Sequence, residues 1–190
     1  GSFGERPGGR WIYWVGYSTG FEGISMKILL ANDYETEGGA ENVFQKNGEL
    51  IEPRHTVSRM TGGKDRSTSR VPWEYVYSRK NFLQMKERIE DSAPDIIHIH
   101  NFYHLLSPSI LAAIRSARSG RSPWQGAVVW TAHDYHGLCP NSGAYSFEKG
   151  EMMRECFPLP LSAIWGKRWD NRGLHFDLLK KIQWELNYRR

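Results

Sequence analysis

Three short apolar runs, each followed by polar or ionisable residues, constrain the fold of this 190-residue chain more than any other feature. The runs lie at residues 28–31, 96–99 and 127–130, and segments with helical character separate them. Continuous apolar strands that alternate with helices are typical of a parallel sheet covered on both faces. The pattern therefore predicts an α/β fold with a doubly wound, mostly parallel, Rossmann-like sheet.

The individual elements follow from the same alternation. Strands are predicted at residues 27–31, 95–100 and 127–131, with a further candidate strand at 54–60. Helices are predicted at residues 40–46, 78–91, 107–118 and 174–188, the third of them capped by Ser107 and stopped by Gly120. Apolar residues recur every four positions in the last helix and predict that it is amphipathic, namely Leu174, Leu178, Ile182 and Leu186.

The first 25 residues differ in character from the rest of the chain. They are rich in glycine and aromatic residues, have no regular period, and precede a Met26-Lys27-Ile28 sequence that resembles a natural start. We interpret residues 1–25 as a leader added for expression and residues 26–190 as one domain. The alternative is an extra strand built on the aromatic residues between positions 11 and 14.

Composition and charge exclude several classes of protein. The net charge is +4, but the basic residues are scattered and form no block of the kind that binds nucleic acid. No apolar run approaches the ~20 residues that span a bilayer. Two cysteines, Cys139 and Cys156, are too few for a disulfide-stabilised secreted scaffold, so a cytoplasmic location is predicted.

Ligands of open parallel sheets bind outside the carboxyl ends of the strands. In this chain those ends lead into polar, ionisable and glycine residues. The first strand leads to Asn32, Asp33, Gly38, Gly39 and Glu41, the second to His98, His100 and Asn101, and the third to His133 and Asp134. The sequence therefore predicts one pocket at this edge of the sheet.

Each group in the predicted pocket has a functional and a structural interpretation. Gly38 and Gly39 precede a helix, where backbone N–H groups favour a phosphate, although a plain tight turn explains them equally well. His133 stands at a strand end, where it can donate to a sugar hydroxyl or a phosphate, or exchange a proton. A structural role is its alternative. His98 is predicted to be buried, and His100 to be the histidine of its strand that nears the cleft.

A metal site is not expected. His133, His136, Cys139 and Cys156 show none of the spacings that mark zinc sites. Cys139, followed by proline, is predicted to pack in a turn, since no basic neighbour in the sequence would activate its thiol.

Three segments together resemble the amino-terminal domain of retaining glycosyltransferases of the GT-B fold, family 4. They are MKILLANDYETEGGAENVF, PDIIHIHNFYHLLSPSIL and VVWTAHDYHGLCPN, in that order, between Met26 and Tyr145. The resemblance implies that Gly38 and Gly39 approach the diphosphate of a nucleotide-sugar donor, together with Glu41. It implies that His133 contacts the transferred sugar.

The same resemblance implies that Asn101 and Asp134 line the acceptor side or brace its loop. His100, at the end of the second strand, is a further candidate binding residue. It implies no metal or other cofactor. The partners that it implies are the nucleotide sugar, a glycan or lipid-linked acceptor and the carboxyl-terminal donor domain of the same enzyme. A lipid-linked acceptor would bring peripheral association with the inner face of a membrane.

Nothing after Leu174 in this chain matches the donor domain, so the isolated domain is expected to be inactive. Two alternatives stay open. One is a non-enzymatic α/β module that binds a carbohydrate or a protein partner. The other is a nucleotide-dependent enzyme such as an oxidoreductase, although the G-x-G-x-x-G fingerprint is missing.

Overall fold

The computed structural model describes residues 24–36, 38–64, 71–137, 139–147, 149–152 and 161–188. Cys156 and all but the last two residues of the predicted leader lie outside the described residues. In chain order the elements are β1 (Lys27–Tyr34), α1 (Gly39–Ile51), β2 (Thr56–Gly63), α2 (Pro72–Val76), α3 (Arg79–Ser92), β3 (Ile96–Ile99), α4 (Ser109–Ser116), β4 (Arg118–Ser119), β5 (Ser122–Pro123), β6 (Ala127–Trp130), β7 (Tyr145–Ser146), β8 (Glu151–Met152), α5 (Leu161–Gly166) and α6 (Leu174–Tyr188). None of these described helices is both long enough and apolar enough to cross a bilayer.

The main sheet has four strands in the order β2-β1-β3-β6, and all of its pairings are parallel. Ala31 of β1 pairs with Ile99 of β3, which in turn pairs with Trp130 of β6. Strands β3 and β6 therefore end at the same level, and β1 continues three residues farther, to Tyr34. The α/β class and the parallel sheet flanked by helices are confirmed, in an arrangement compatible with a Rossmann-like fold.

Helices cover both faces of the sheet because side chains alternate along each strand. Leu29 and Ala31 of β1 face a core that Met85 and Ile89 of α3 and Ile110 of α4 complete. Ile28 and Leu30 face the other side, where Phe44 of α1 packs against them. The central strand β1 is accordingly buried from Ile28 to Tyr34.

The edge strand β6 differs from its prediction. It was predicted to be buried, but all four of its residues are exposed, among them Val128 (48%), Val129 (44%) and Trp130 (42%). Within the described part of the chain, β6 pairs with β3 and with no other strand. Apolar composition alone does not distinguish a central strand from an uncovered edge strand.

The start of α4 also differs from its prediction. Its N-cap residue is Pro108, not Ser107, and no side chain caps it at that position. Ser107 instead adopts a positive φ of 58° and accepts hydrogen bonds through Oγ from the backbone N–H groups of Ser78 and Ser109. Ser107 therefore links the start of α4 to the residue before α3. Gly120 lies in the turn between β4 and β5, after α4 has ended.

Helix α6 buries the side opposite to its leucines. Leu174, Leu178 and Leu186 are 78%, 48% and 49% exposed, whereas Gln183 and Trp184 are buried. Trp184 packs in a separate core cluster with Trp169, Ile164, Cys139 and Ala144. On the same side, the buried Lys181 and Asp177 form an ion pair at 2.6 Å. The polar residues of α6 are thus compatible with burial because they are paired.

Candidate functional site

The carboxyl ends of β1, β3 and β6 place the predicted residues at one edge of the sheet. His100 follows β3 directly, and its backbone N–H donates to the carbonyl of Ala31 in β1. Thr131 follows β6 and donates in the same way to Ile99. The loops after these positions carry Asn101, His133 and Asp134, so three strand ends contribute to one polar region.

His100 and His133 are in direct contact. Nδ1 of His100 lies 2.9 Å from Nε2 of His133, and the two rings stack with centroids 5.2 Å apart and an interplanar angle of 22°. His133 is partly exposed, as a ligand-contacting residue must be. His100 was predicted to near the cleft, but it has no exposed surface. His100 therefore contacts His133 from the interior of the protein and does not line the surface.

His98 continues this cluster on the face that it shares with His100. Its ring centroid lies 4.5 Å from that of His100, and its Nε2 lies 2.8 Å from Oγ1 of Thr131. His98 is hydrogen-bonded as predicted, but it is partly exposed and not buried.

Burial, followed by the charge of His133, lowers the pKa of His98. Burial, followed by the charges of His98 and His133, lowers the pKa of His100 to about 3. Both rings are therefore neutral at neutral pH.

Helix α1 contacts the same cluster from the other side. Phe44 packs edge-on against His100, with centroids 5.6 Å apart, and Nδ2 of Asn47 lies 3.4 Å from Nε2 of His100. Phe44 and Asn47 are three residues apart, so they lie on one face of the helix. The inner face of α1 thus fixes the ring of His100.

A second cluster surrounds Asp134. The hydroxyl of Tyr103 donates to Oδ1 of Asp134 at 2.9 Å, and the backbone N–H of His136 donates to the same oxygen at 2.8 Å. Burial, followed by the Asp134 charge, raises the pKa of Tyr103 well above its usual range, so the phenol stays protonated. Oδ1 of Asn101 lies 3.1 Å from the Tyr103 hydroxyl. Tyr103 therefore links the two predicted residues Asn101 and Asp134.

Two buried polar residues at the end of β1 hold the neighbouring loop. Oδ1 of Asn32 accepts the backbone N–H of Asn101 at 2.9 Å. The Asp33 carboxylate accepts three backbone N–H groups, from His104 (2.8 Å), Leu105 (2.8 Å) and Leu106 (2.9 Å). Asn32 and Asp33 can be polar at the end of a buried strand because their side chains accept the backbone N–H groups of the turn after β3.

The glycine pair lies at the start of α1. A Cβ atom built on Gly39 would meet no other atom within 4 Å, so space is open there for a ligand. Gly38 is extended (φ 160°), and the first helical bond runs to its carbonyl from the N–H of Asn42. The N–H groups of the first turn precede that bond and have no partner within the helix. Glu41 is buried (5% exposed) and does not line an open surface.

Helix α6 fastens the loop after β6. Oε1 of Gln183 lies 3.1 Å from Nε2 of His136, and Trp184 donates its indole N–H to the His136 carbonyl at 3.2 Å. The ring of His136 stacks on Tyr103 with centroids 3.9 Å apart. Burial lowers the pKa of His136 to about 3, so the ring is neutral. The loop that carries His133 and Asp134 is therefore held by α6.

Cys139 packs in this loop as predicted. It is fully buried, its Sγ contacts the Asn141 carbonyl, and burial raises the pKa of its thiol. A raised pKa lowers the thiolate fraction, which argues against a nucleophilic role. Among the residues that the structure describes, no group of three His, Cys, Asp or Glu side chains is arranged to hold a metal ion.

An open pocket of about 500 Å³ lies at the opposite edge of the sheet, near the amino-terminal ends of β3 and β6. Its lining includes Pro94, Asp95, Trp124 and Gly126. None of the predicted site residues contributes to it. We therefore do not assign the chemistry of the chain to this pocket.

Sequence reasoning missed Asn47, Tyr103 and Gln183, each of which links elements far apart in the chain. Asn47 carried a usable signal, since asparagine is a poor residue for a helix interior unless its side chain has a partner. The sequence around Tyr103 and Gln183 contains no such signal, because their partners Asp134 and His136 lie 31 and 47 residues away.

The chain matches no known family model, no curated protein and no solved structure. The resemblance to glycosyltransferases therefore rests on the three quoted sequence segments alone.

Proposed function

We propose that this chain is the acceptor-side domain of a retaining, metal-independent glycosyltransferase of the GT-B type. In this proposal a second domain binds the nucleotide of the donor, and the cleft between the two domains holds the sugar. The acceptor is a glycan or a lipid-linked sugar. The observation that carries the proposal is the contact between buried His100 and partly exposed His133, which gives the site one firmly held polar side chain at a strand end.

The chemistry of sugar transfer fits this arrangement. Breaking a sugar–phosphate bond places charge on the departing diphosphate, and backbone N–H groups at a helix start stabilise such charge. The start of α1 at Gly39, with open space beside it, offers those groups. His133 orients the sugar by a hydrogen bond, while Asp134 holds the loop through Tyr103 and His136. Closure of a second domain would then exclude water.

Binding of donor fragments by the isolated chain tests this proposal. A ¹⁵N-labelled sample is titrated with a panel of uridine and guanosine diphosphate sugars while backbone amide signals are followed. We expect at least one donor to shift the signals of residues 38–41 and 131–134. His133→Ala should weaken that binding about tenfold, the value of one hydrogen bond. The exposed His175 provides the control variant, His175→Ala. A chain that binds none of these donors, or binds them equally well without His133, contradicts the proposal.

The second candidate is a non-enzymatic module that binds carbohydrate. The exposed aromatic residues Trp130 (42%) and Tyr135 (53%) beside the site favour it, because sugars stack on such rings. The same titration separates the two functions. Both functions allow a response to free oligosaccharides. A transferase domain also responds to the diphosphate of the donor, with shifts at residues 38–41, whereas a binding module shows no such shifts.

A further inference from the structure

The hydrogen bonds around His100 determine which of its nitrogens carries the proton. The side-chain amide of Asn47 points its Nδ2 at Nε2 of His100, 3.4 Å away. An amide NH₂ group only donates, so Nε2 of His100 accepts. A neutral imidazole with an accepting Nε2 carries its proton on Nδ1.

His100 is neutral at physiological pH. The ring is fully buried between Phe44 of α1 and His133, and burial lowers its pKa to about 3. The neighbouring rings of His98 and His133 lower it in the same direction because a second positive charge is unfavourable there. His100 therefore has one N–H, and that group is at Nδ1.

The proton state of His100 in turn sets that of His133. Nδ1 of His100 lies 2.9 Å from Nε2 of His133, and since Nδ1 is the donor, Nε2 of His133 accepts. A neutral His133 then carries its own proton on Nδ1. Because Nε2 is engaged with His100, Nδ1 is the nitrogen left for a ligand.

We propose that Asn47 and His100 are positioning residues that hold His133 in its Nδ1-protonated tautomer, so that His133 offers an N–H donor to an oxygen of the ligand. The identity of that ligand, a sugar hydroxyl or a phosphate oxygen, rests on the proposed function, but the tautomer does not. In this form His133 is a hydrogen-bond donor and not a general base. His133 therefore recognises a ligand that presents an oxygen able to accept a hydrogen bond, and it removes no proton from that ligand.

The tautomers are measured directly by long-range ¹H–¹⁵N correlation of the imidazole rings in the ligand-free chain. The measurement is made at about pH 8, above the ordinary pKa of histidine. We expect both His100 and His133 to show a protonated Nδ1 and an unprotonated Nε2. An imidazole free in water favours the opposite tautomer, so the expected result is distinctive.

Asn47→Leu removes the donor to His100 while keeping a side chain of similar size. We expect His133 in this variant to change to mainly Nε2-protonated, because Nε2 of His100 is then free to carry the proton. The matched control is Asn42→Leu, the same substitution at an exposed position of the same helix. Asn42→Leu should leave both tautomers as in the wild type.

An Nε2-protonated His133 in the wild-type chain would overturn the proposal, and so would a His133 tautomer that Asn47→Leu leaves unchanged. Both measurements are made without ligand, so they are independent of the donor titration. A chain that binds no nucleotide sugar but shows the expected tautomers contradicts the proposed function and leaves the positioning role intact.

Discussion

Oε1 of Gln183 lies 3.1 Å from Nε2 of His136, and this contact joins helix α6 to the loop that follows β6. Gln183 is fully buried, and its amide also donates to the main-chain carbonyls of Tyr75 and Tyr103. One side chain thus connects α6 to α2, to the turn after β3 and to the loop of the candidate site.

Gln183→Leu should destabilise the chain by about 2–4 kcal/mol, because it removes the three hydrogen bonds that the buried Gln183 side chain makes. Urea denaturation followed by circular dichroism measures the change. Leu178→Gln, at a position of α6 that is 48% exposed, is the control and should change the unfolding free energy by less than about 0.5 kcal/mol. Equal stability of Gln183→Leu and the wild type would show that the three hydrogen bonds do not stabilise the fold.

Asp33→Asn should cost about 2–4 kcal/mol of unfolding free energy. The carboxylate accepts three backbone N–H groups, and bonds to a charged acceptor are stronger than neutral ones. An amide in its place turns an NH₂ group toward at least one of those donors. The same substitution at the exposed Asp91 of α3 is the control. Hydrogen exchange should also speed up at Leu105 and Leu106, and unchanged exchange there would contradict the assigned role of Asp33.

Stability should fall as the pH decreases from about 6.5 toward 4. The pKa of His136 and that of His100 are both about 3 in the folded chain, so the unfolded chain takes up protons first. For each of these two histidines, the free energy of unfolding then falls by about 1.4 kcal/mol per pH unit. At pH 5 the total loss for each histidine is about 2 kcal/mol. Urea denaturation at several pH values measures this slope. His136→Gln should reduce the pH slope by the contribution of one histidine. The control His175→Gln, at an exposed position, should leave the slope unchanged.

His133→Ala, made in an enzyme that contains this domain, should lower turnover at least about tenfold without unfolding the domain, since it removes a hydrogen bond to the reacting sugar. Initial rates with a nucleotide-sugar donor measure the effect, and circular dichroism checks the fold. His175→Ala should retain the wild-type rate. Turnover that does not change on loss of His133 would remove this residue from the mechanism.

The sequence predicted the sheet well because buried strands carry a strong local signal. The apolar runs at Leu29 and at Ile97 are continuous and short, and the structure places both in the core. The positions of polar residues at strand ends also followed from sequence, because parallel strands bring their carboxyl ends to one edge.

Burial of the outer elements could not be predicted from sequence. The apolar residues Val129 and Leu174 are exposed, and the polar residue Gln183 is buried. Burial at these positions depends on partners elsewhere in the chain, and periodicity within one element contains no information about them. The contact of His100 with His133 has the same origin, since it joins residues 33 positions apart.

Strand β6 has consequences for handling the protein. Its four residues include no charge and no proline, the two devices that most often keep exposed strand edges apart in solution. Concentrated samples should therefore self-associate through this edge. A lysine in place of Val129, which projects from the sheet, should keep the protein monodisperse at the concentrations that NMR requires.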